Sequence, residues 1–409
     1  MNQASASPLR SVGFRWLLLY RICTLFSYQI VAVAVGWHVY EITRDPWSLG
    51  LIGLAEVIPF FCVAPFAGVM VDRLPRRKLG AVACMGLAAN ALALVLIATD
   101  MLPLHGLWTI YLAIAIGGVG RSFLGPVYNA LFARVLARAQ FARGASMGSV
   151  VFQAGLVLGP ALGGLLVGSL GTPYAYGLAA CFAIAAASAL LLMPVTEPAQ
   201  QQQHGPVFAS IAEGARFVAG NQIMLGAMAL DMFSVLLGGA MSMLPAFIKD
   251  ILHHGPEALG MLRAAPAVGS IAVALWLTRH PLQRHAGRVL LVAVACFGIC
   301  TIGFALSRNI WLSAALLVAY GMCDGVSVVM RSTIMQLVTP DHMRGRVSSI
   351  NSIFVSSSNE LGAFYDGVMA RLLGLVPAVL VGGFVTLGVV GITAWKAPKL
   401  RRLDLRDLH

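Results

Sequence analysis

The stretch GVMVDRLPRRK, Gly68 to Lys78, lies between two long apolar runs. Only Glu56 interrupts residues 46–71, and after Lys78 no charge appears until Asp100. A helix rising about 1.5 Å per residue needs about 20 apolar residues to cross a hydrocarbon layer about 30 Å thick. Both runs are long enough, so the stretch reads as a short basic loop joining two membrane spans. Working outward, the same alternation yields twelve candidate spans: 14–42, 46–71, 77–98, 105–133, 143–169, 173–194, 222–249, 255–279, 286–307, 310–338, 345–372 and 375–396. The expected class is an all-α membrane protein. The composition agrees, because 59% of the 409 residues are hydrophobic and only 11% are charged, against about one quarter in soluble domains. The first run is too long for the apolar core of a cleavable signal, so the first helix is expected to stay.

A net charge of +12 raises the question of nucleic acid. The positions of the charges answer it. With both termini in the cytoplasm, twenty of the 28 Lys and Arg residues fall in cytoplasmic segments, which is the positive-inside pattern. The basic balance therefore reports topology, and no nucleic-acid partner is expected. All seven cysteines (Cys23, Cys62, Cys84, Cys181, Cys296, Cys300 and Cys323) lie in candidate spans without CxxC spacing, which reads as small apolar filler. His253 and His254 are adjacent in an outer loop with no Cys or carboxylate at ligand spacing, a poor metal site. No metal and no cofactor are expected.

One long polar connector, rich in Gln and bounded by Pro, divides the spans six and six. The expected organisation is a bundle over 1–194, a linker over 195–221 with a short interfacial helix in VFASIAEGARFVAG, a second bundle over 222–396 and a basic cytoplasmic tail over 397–409. The halves repeat. At an offset of 203, Arg143 falls on Arg346, Gly159 on Gly362, Gly164 on Gly367, Gly118 on Gly321 and Arg121 on Asp324. Two six-helix bundles related by a pseudo-two-fold axis imply a substrate site near the midplane and alternating access by rocking.

The opening stretch resembles the signature between helices two and three of the major facilitator superfamily, G-x-L-x-D-R-x-G-R-R/K. Gly68, Asp72, Arg73, Arg76 and Arg77 match it, while Met70 stands for Leu and Pro75 for Gly. The resemblance implies a cytoplasmic gate at this loop, with Gly68 allowing close helix approach and Asp72 in charge contact with a helix end of the other half. In the fifth span GLVLGPALGG, Gly155 to Gly164, resembles the GPxxGG element of drug and proton antiporters. Gly155, Gly159, Gly163 and Gly164 would pack helices closely while Pro160 bends one. With MRGRVSSINSIFVSSSNELGAFYDG, Met343 to Gly367, the chain looks like the branch of enterobactin exporters and transmembrane secretion effectors. That implies the bacterial inner membrane, a monomer and an efflux role in siderophore export or multidrug resistance.

Charges within spans cost about 2.5–3.5 kcal/mol each at mid-depth on insertion scales, so they mark function or pairing. Five carboxylates (Glu56, Asp231, Asp324, Glu360 and Asp366) face four guanidiniums (Arg21, Arg121, Arg263 and Arg331). The near balance suggests ion pairs with one acid left to carry a proton. Arg121 fits the superfamily position that assists proton coupling, and the repeat sets Asp324 at the matching place. Glu360 and Asp366 are six residues apart, about 240° around a helix, so they cannot face one pocket, whereas Asn359 and Asp366 share a face. Glu360 is near mid-depth and is the first choice for the proton, with Asp366 an outer pair or gate. Arg21, Tyr28, Trp37, Asn359, Arg263 and Arg331 are the candidates for lining the substrate cavity.

The leading expectation is proton-coupled export of a small amphipathic molecule. Proton-coupled uptake needs the same fold and acids, and a non-transporting membrane sensor is the alternative from another class. An enzyme is not expected, because no Walker A, HExxH or GxSxG sequence is present.

Overall fold

The computed structural model describes residues 8–101, 106–137, 140–195, 207–280, 285–340 and 343–404. Among them the elements are helices with no strand. The long helices are α1 (Val12–Thr43), α2 (Pro46–Arg73), α3 (Arg76–Ala98), α4 (Leu107–Val135), α5 (Phe141–Ser169), α6 (Thr172–Leu192), α8 (Gln222–Gly238), α10 (Pro256–Arg279), α11 (Ala286–Leu306), α12 (Ile310–Val338), α13 (Arg344–Leu373) and α14 (Leu375–Lys396). Shorter ones are α7 (Val207–Gly220), α9 (Leu244–Phe247) and α15 (Pro398–Arg401). Among the described residues, ten helices are long and apolar enough to cross a membrane, or eleven if one bent pair counts as a span. Ten of the twelve expected spans coincide with these ten helices, and the other two depart from a plain apolar span.

The first departure is the seventh span, expected to run unbroken over 222–249. Here α8 stops at Gly238, and residues up to Met243 are non-helical before α9 leads into a π-helical turn over Ile248–Leu252. Gly238 and Gly239 lower the helical preference at the break. A broken helix at membrane depth needs polar partners, and one is at hand, since the Ser242 hydroxyl donates to Asp366 Oδ2 at 2.7 Å. The second departure is α13, which is long enough to span but too polar to count as an apolar crossing. Its serines, Asn359, Glu360 and Asp366 are the cause.

The chain divides into two compact units. Unit 1 holds Met1–Ile42, Ala55–Gln203 and Gly255–Ala264, and unit 2 holds Thr43–Leu54, His204–His254 and Ala265–His409. In unit 1 the core joins Phe14, Leu17 and Tyr20 of α1 with Cys84 of α3, Val127 and Leu131 of α4, and Leu190 of α6. The face of α6 is alanine, with Ala175, Ala179, Ala183 and Ala186 all buried. Close packing of this kind drives helix association where lipid is as apolar as the side chains. In unit 2, Ala227 and Leu230 of α8 meet Leu290 and Val294 of α11 and Met330 and Ile334 of α12. The basic tail is not free at its start, because α15 buries Leu400 completely against this core. Outward-facing positions such as Phe66, Val82, Trp311 and Leu372 stay exposed, as lipid contact requires.

The helix of the linker, α7, turns by 104° into α8. Asn221 stands at the corner and its Oδ1 accepts from the backbone N–H of Ile223 and Met224 at 3.0 and 3.1 Å, an N-cap.

Two helix crossings bring glycine against glycine, backbone to backbone. In unit 1, a Cβ built on Gly164 of α5 would lie 2.4 Å from Gly260 Cα of α10 and 2.9 Å from Pro256 O. In unit 2, a Cβ on Gly50 of α2 would lie 2.9 Å from Gly367 Cα of α13. The repeat relates them. Gly164 and Gly367 match at an offset of 203, while Gly50 and Gly260, like Pro46 and Pro256, match at 210. The remaining glycines of the fifth-helix element face α1, since Gly155 abuts Leu25, Gly159 abuts Gln29 and Gly163 abuts Ile30. Helix α5 runs through Pro160 without ending.

Candidate functional site

In the loop from which the sequence reading began, Arg77 reaches the end of α6. Its guanidinium donates to the carbonyls of Leu190, Leu191 and Val195 at the C-terminal end of α6, where helix carbonyls lack partners and the dipole favours a cation. Arg76 Nε donates to Val71 O at 3.3 Å, and Arg73 is exposed. Gly68 was expected to admit a neighbouring helix, but a Cβ there would meet nothing within 4 Å. The side chain of Asp72 lies outside the described residues.

Within unit 1, Arg121 of α4 pairs with Glu56 of α2 and donates to the Tyr28 hydroxyl of α1 at 2.5 Å. Its guanidinium also lies 4.4 Å from the Tyr28 ring centre and 5.5 Å from that of Phe60. The repeat sets Asp324 at the place in the second half that matches Arg121, and the carboxylate that Arg121 meets is on α2. Gly118, three residues earlier on α4, makes this possible. A Cβ on it would come within 2.7 Å of Glu56 O, so the two helices meet at backbone distance.

Arg21 of α1 finds aromatic rings instead of a carboxylate. Its guanidinium sits 3.9 Å from the Tyr128 ring centre and 5.1 Å from that of Phe152, and its Nε is buried without a hydrogen-bond partner. Arg263 donates to Ala32 O at 3.2 Å. Trp37, expected beside a cavity, is core, at 5% exposure.

Unit 2 carries its own pair. Asp231 of α8 and Arg331 of α12 form an ion pair, and both are buried. Beside them opens a cleft with about 230 Å³ of empty volume, its mouth included. Asp231, Ser234 and Val235 of α8, Val294 and Phe297 of α11, and Cys323, Asp324 and Ser327 of α12 line it. The spacing explains the grouping. Asp324, Ser327 and Arg331 are at i, i+3 and i+7, and Asp231 and Ser234 at i and i+3, so each set occupies one helix face. The sequence reading named the charged members and missed Ser234 and Ser327, although the same spacing was available to find them.

On α13, Asp366 is buried and bound by Ser242, whereas Asn359 is exposed and its amide donates to Val355 O at 2.9 Å on its own helix. The face the two were expected to share is thus divided between a buried end and an open middle. Glu360 is half-buried, and its carbonyl abuts Gly53 of α2.

Comparison with known proteins places this arrangement. The profile of the Major Facilitator Superfamily matches residues 17–363. The multidrug efflux pump Tap of Mycolicibacterium fortuitum is 26% identical over 387 residues, covering 92% of this chain and 93% of that protein. The enterobactin exporter EntS of Citrobacter koseri is 26% identical over 389 residues, covering 93% and 90%. Among solved structures, a bacterial homolog of the human lysosomal transporter Spinster, inward-facing and occupied, superposes with a TM-score of 0.74 at 14% identity, covering 98% and 99%. The nucleoside transporter NupG gives 0.67 at 14% identity, covering 95% and 98%. The profile spans far more than half of the residues and the fold agrees across the whole length, so this multi-pass membrane protein is a transporter and not an enzyme, and it belongs to the Major Facilitator Superfamily.

Proposed function

We propose that the protein exports a small amphipathic molecule, of siderophore or drug-like chemistry, by proton-coupled alternating access. It would act as a monomer in the bacterial inner membrane, with twelve spans and both termini cytoplasmic. The observation that carries the direction is that relatives matched over more than nine tenths of the chain are named as an efflux pump and as enterobactin exporters. The GPxxGG element of α5 supports the same direction.

The charge arrangement supports coupling. A carboxylate already neutralised by a guanidinium gains little from a proton, which sets Glu56 and Asp231 apart, since each is held by an arginine. Of the acids on α13, Glu360 and Asp366 are the candidates for the carrier. Glu360 is half-buried in the middle of α13 and can meet water as the helix environment changes, while Asp366 is fixed by Ser242 at the broken end of α8. Glu360 is therefore placed first for the proton, and Asp366 as a support for the break.

Proteoliposome flux tests this reading. A panel of cationic dyes and catecholate siderophores is followed in both directions across an imposed pH gradient. Movement of at least one compound against its gradient, in exchange for protons and abolished by a protonophore, is expected. Flux coupled only in the same direction as protons overturns export. Glu360→Gln should bind compound yet lose uphill movement, and undiminished uphill movement removes Glu360 from the mechanism.

A further inference from the structure

The cleft of unit 2 has a chemistry that the export cycle leaves unused. Its two serines are buried, at 2% exposure for Ser234 and 3% for Ser327. Their hydroxyls have no hydrogen-bond partner. Serines and threonines within helices ordinarily bond back to a carbonyl of the preceding turn, and others in this bundle do so. Ser358 donates to Phe354 O at 2.6 Å and Thr333 to Val329 O at 2.8 Å. Ser234 and Ser327 instead line the cleft with their lone pairs unused.

The charge is unbalanced in the same place. Asp231 and Arg331 cancel each other. Asp324, on the cleft wall, has no ion-pair or hydrogen-bond partner among the described residues, so with that aspartate ionised the cleft carries one net negative charge. An isolated carboxylate surrounded by helices is costly unless something neutralises it. Apart from the single thiol of Cys323, the donors on offer are hard oxygens, two carboxylates and two hydroxyls, which suit alkali and alkaline-earth cations rather than soft transition metals. The enclosed part has room for about one sphere of the size of a water molecule. A divalent ion would leave a net positive charge and asks for more carboxylates than one free aspartate. A single monovalent ion leaves the cleft neutral.

From these observations we infer that the cleft between α8, α11 and α12 is a sodium-ion site, with Asp324 supplying the charge, Ser234 and Ser327 the neutral oxygens, and Arg331 holding Asp231 at the rim. The sequence reading expected no metal at all. This site is independent of the direction of transport and of the acid on α13 that takes the proton.

Thermal unfolding of the full chain in detergent tests it, in sodium chloride against choline chloride at equal ionic strength and fixed pH. A saturable rise of the midpoint with sodium is expected, because an ion bound only by the folded state must stabilise it. Asp324→Asn keeps the shape and removes the charge, and should abolish the sodium response. Ser327→Ala and Ser234→Ala should shift the half-saturating sodium concentration upward roughly tenfold each, the loss of one hydrogen-bond-strength ligand, and they keep the test informative should Asp324→Asn fail to fold. Equal midpoints of the wild type in sodium and choline overturn the inference. So does a response to pH without any response to sodium, or a sodium response that survives in Asp324→Asn.

Discussion

Replacing Asp231 with Asn should destabilise the protein far more than replacing both members of its pair. Asp231→Asn leaves Arg331 at 5% exposure with no carboxylate against it. The nearest acid on its own helix, Asp324, is seven residues away, about 10.5 Å along the axis, too far to take over without repacking. Breaking a buried pair by removing one partner costs about 3–5 kcal/mol. In a micelle the unfolded helix stays inserted, where an arginine already costs about 2.5–3.5 kcal/mol on insertion scales. Part of the penalty is then common to both states, so the lower end, about 3 kcal/mol, is the expected loss. The double variant Asp231→Asn with Arg331→Met removes both charges and should fall within about 1 kcal/mol of the wild type. Unfolding by SDS in mixed micelles, followed by tryptophan fluorescence and extrapolated linearly, gives the four corners of the cycle. The buffer should hold choline rather than sodium, so that ion binding does not enter. A loss below about 0.5 kcal/mol for Asp231→Asn, or a double variant equal to the sum of the singles, refutes the reasoning.

Three further outcomes are expected. Glu56→Gln removes the carboxylate charge that Arg121 pairs with, while the rings of Tyr28 and Phe60 stay beside the guanidinium; uphill flux in proteoliposomes should fall at least tenfold while compound binding, read by tryptophan quenching, persists. Gly164→Val forces backbone of α5 and α10 apart, an overpacking cost of about 1–3 kcal/mol, visible as a lower thermal midpoint, and Gly367→Val should match it. Arg77→Ala removes donors to three carbonyls at the end of α6 and should cost about 1–2 kcal/mol in the SDS titration.

Composition and charge asymmetry made the helical membrane class legible, because lipid forbids unpaired backbone and so makes apolar length a direct signal. Gly164 and Gly367 were legible as packing positions from the 203-residue offset. Their partners Gly50 and Gly260 were not, because that match needs an offset of 210 and a three-dimensional contact to suggest it. Counting acids and arginines within spans identified the members of both ion pairs, yet charge balance carries no distances. The repeat matched Arg121 with Asp324 by position, and only the structure shows that Gly118 brings Glu56 within its reach. The break after Gly238 was hidden because residues 222–249 are apolar on both sides of it, and hydropathy does not see the hydrogen bond between Ser242 and Asp366. Ser234 and Ser327 were passed over for a similar reason, since a serine in a span is ordinarily satisfied by its own helix.

The glycine crossings bear on rates rather than on stability. Where side chains interdigitate, two helices part only after rotamers change in concert, and that concerted step sets a barrier. Gly164 against Gly260, and Gly50 against Gly367, touch through backbone alone. Each atom pair there contributes only about 0.1–0.2 kcal/mol of dispersion, and at the glycine pair itself no side chain must be unthreaded before contact is lost. Such a joint is a latch without teeth. The time it takes to release and re-form depends on how fast lipid or water fills the gap, and it should be the same at the two related positions.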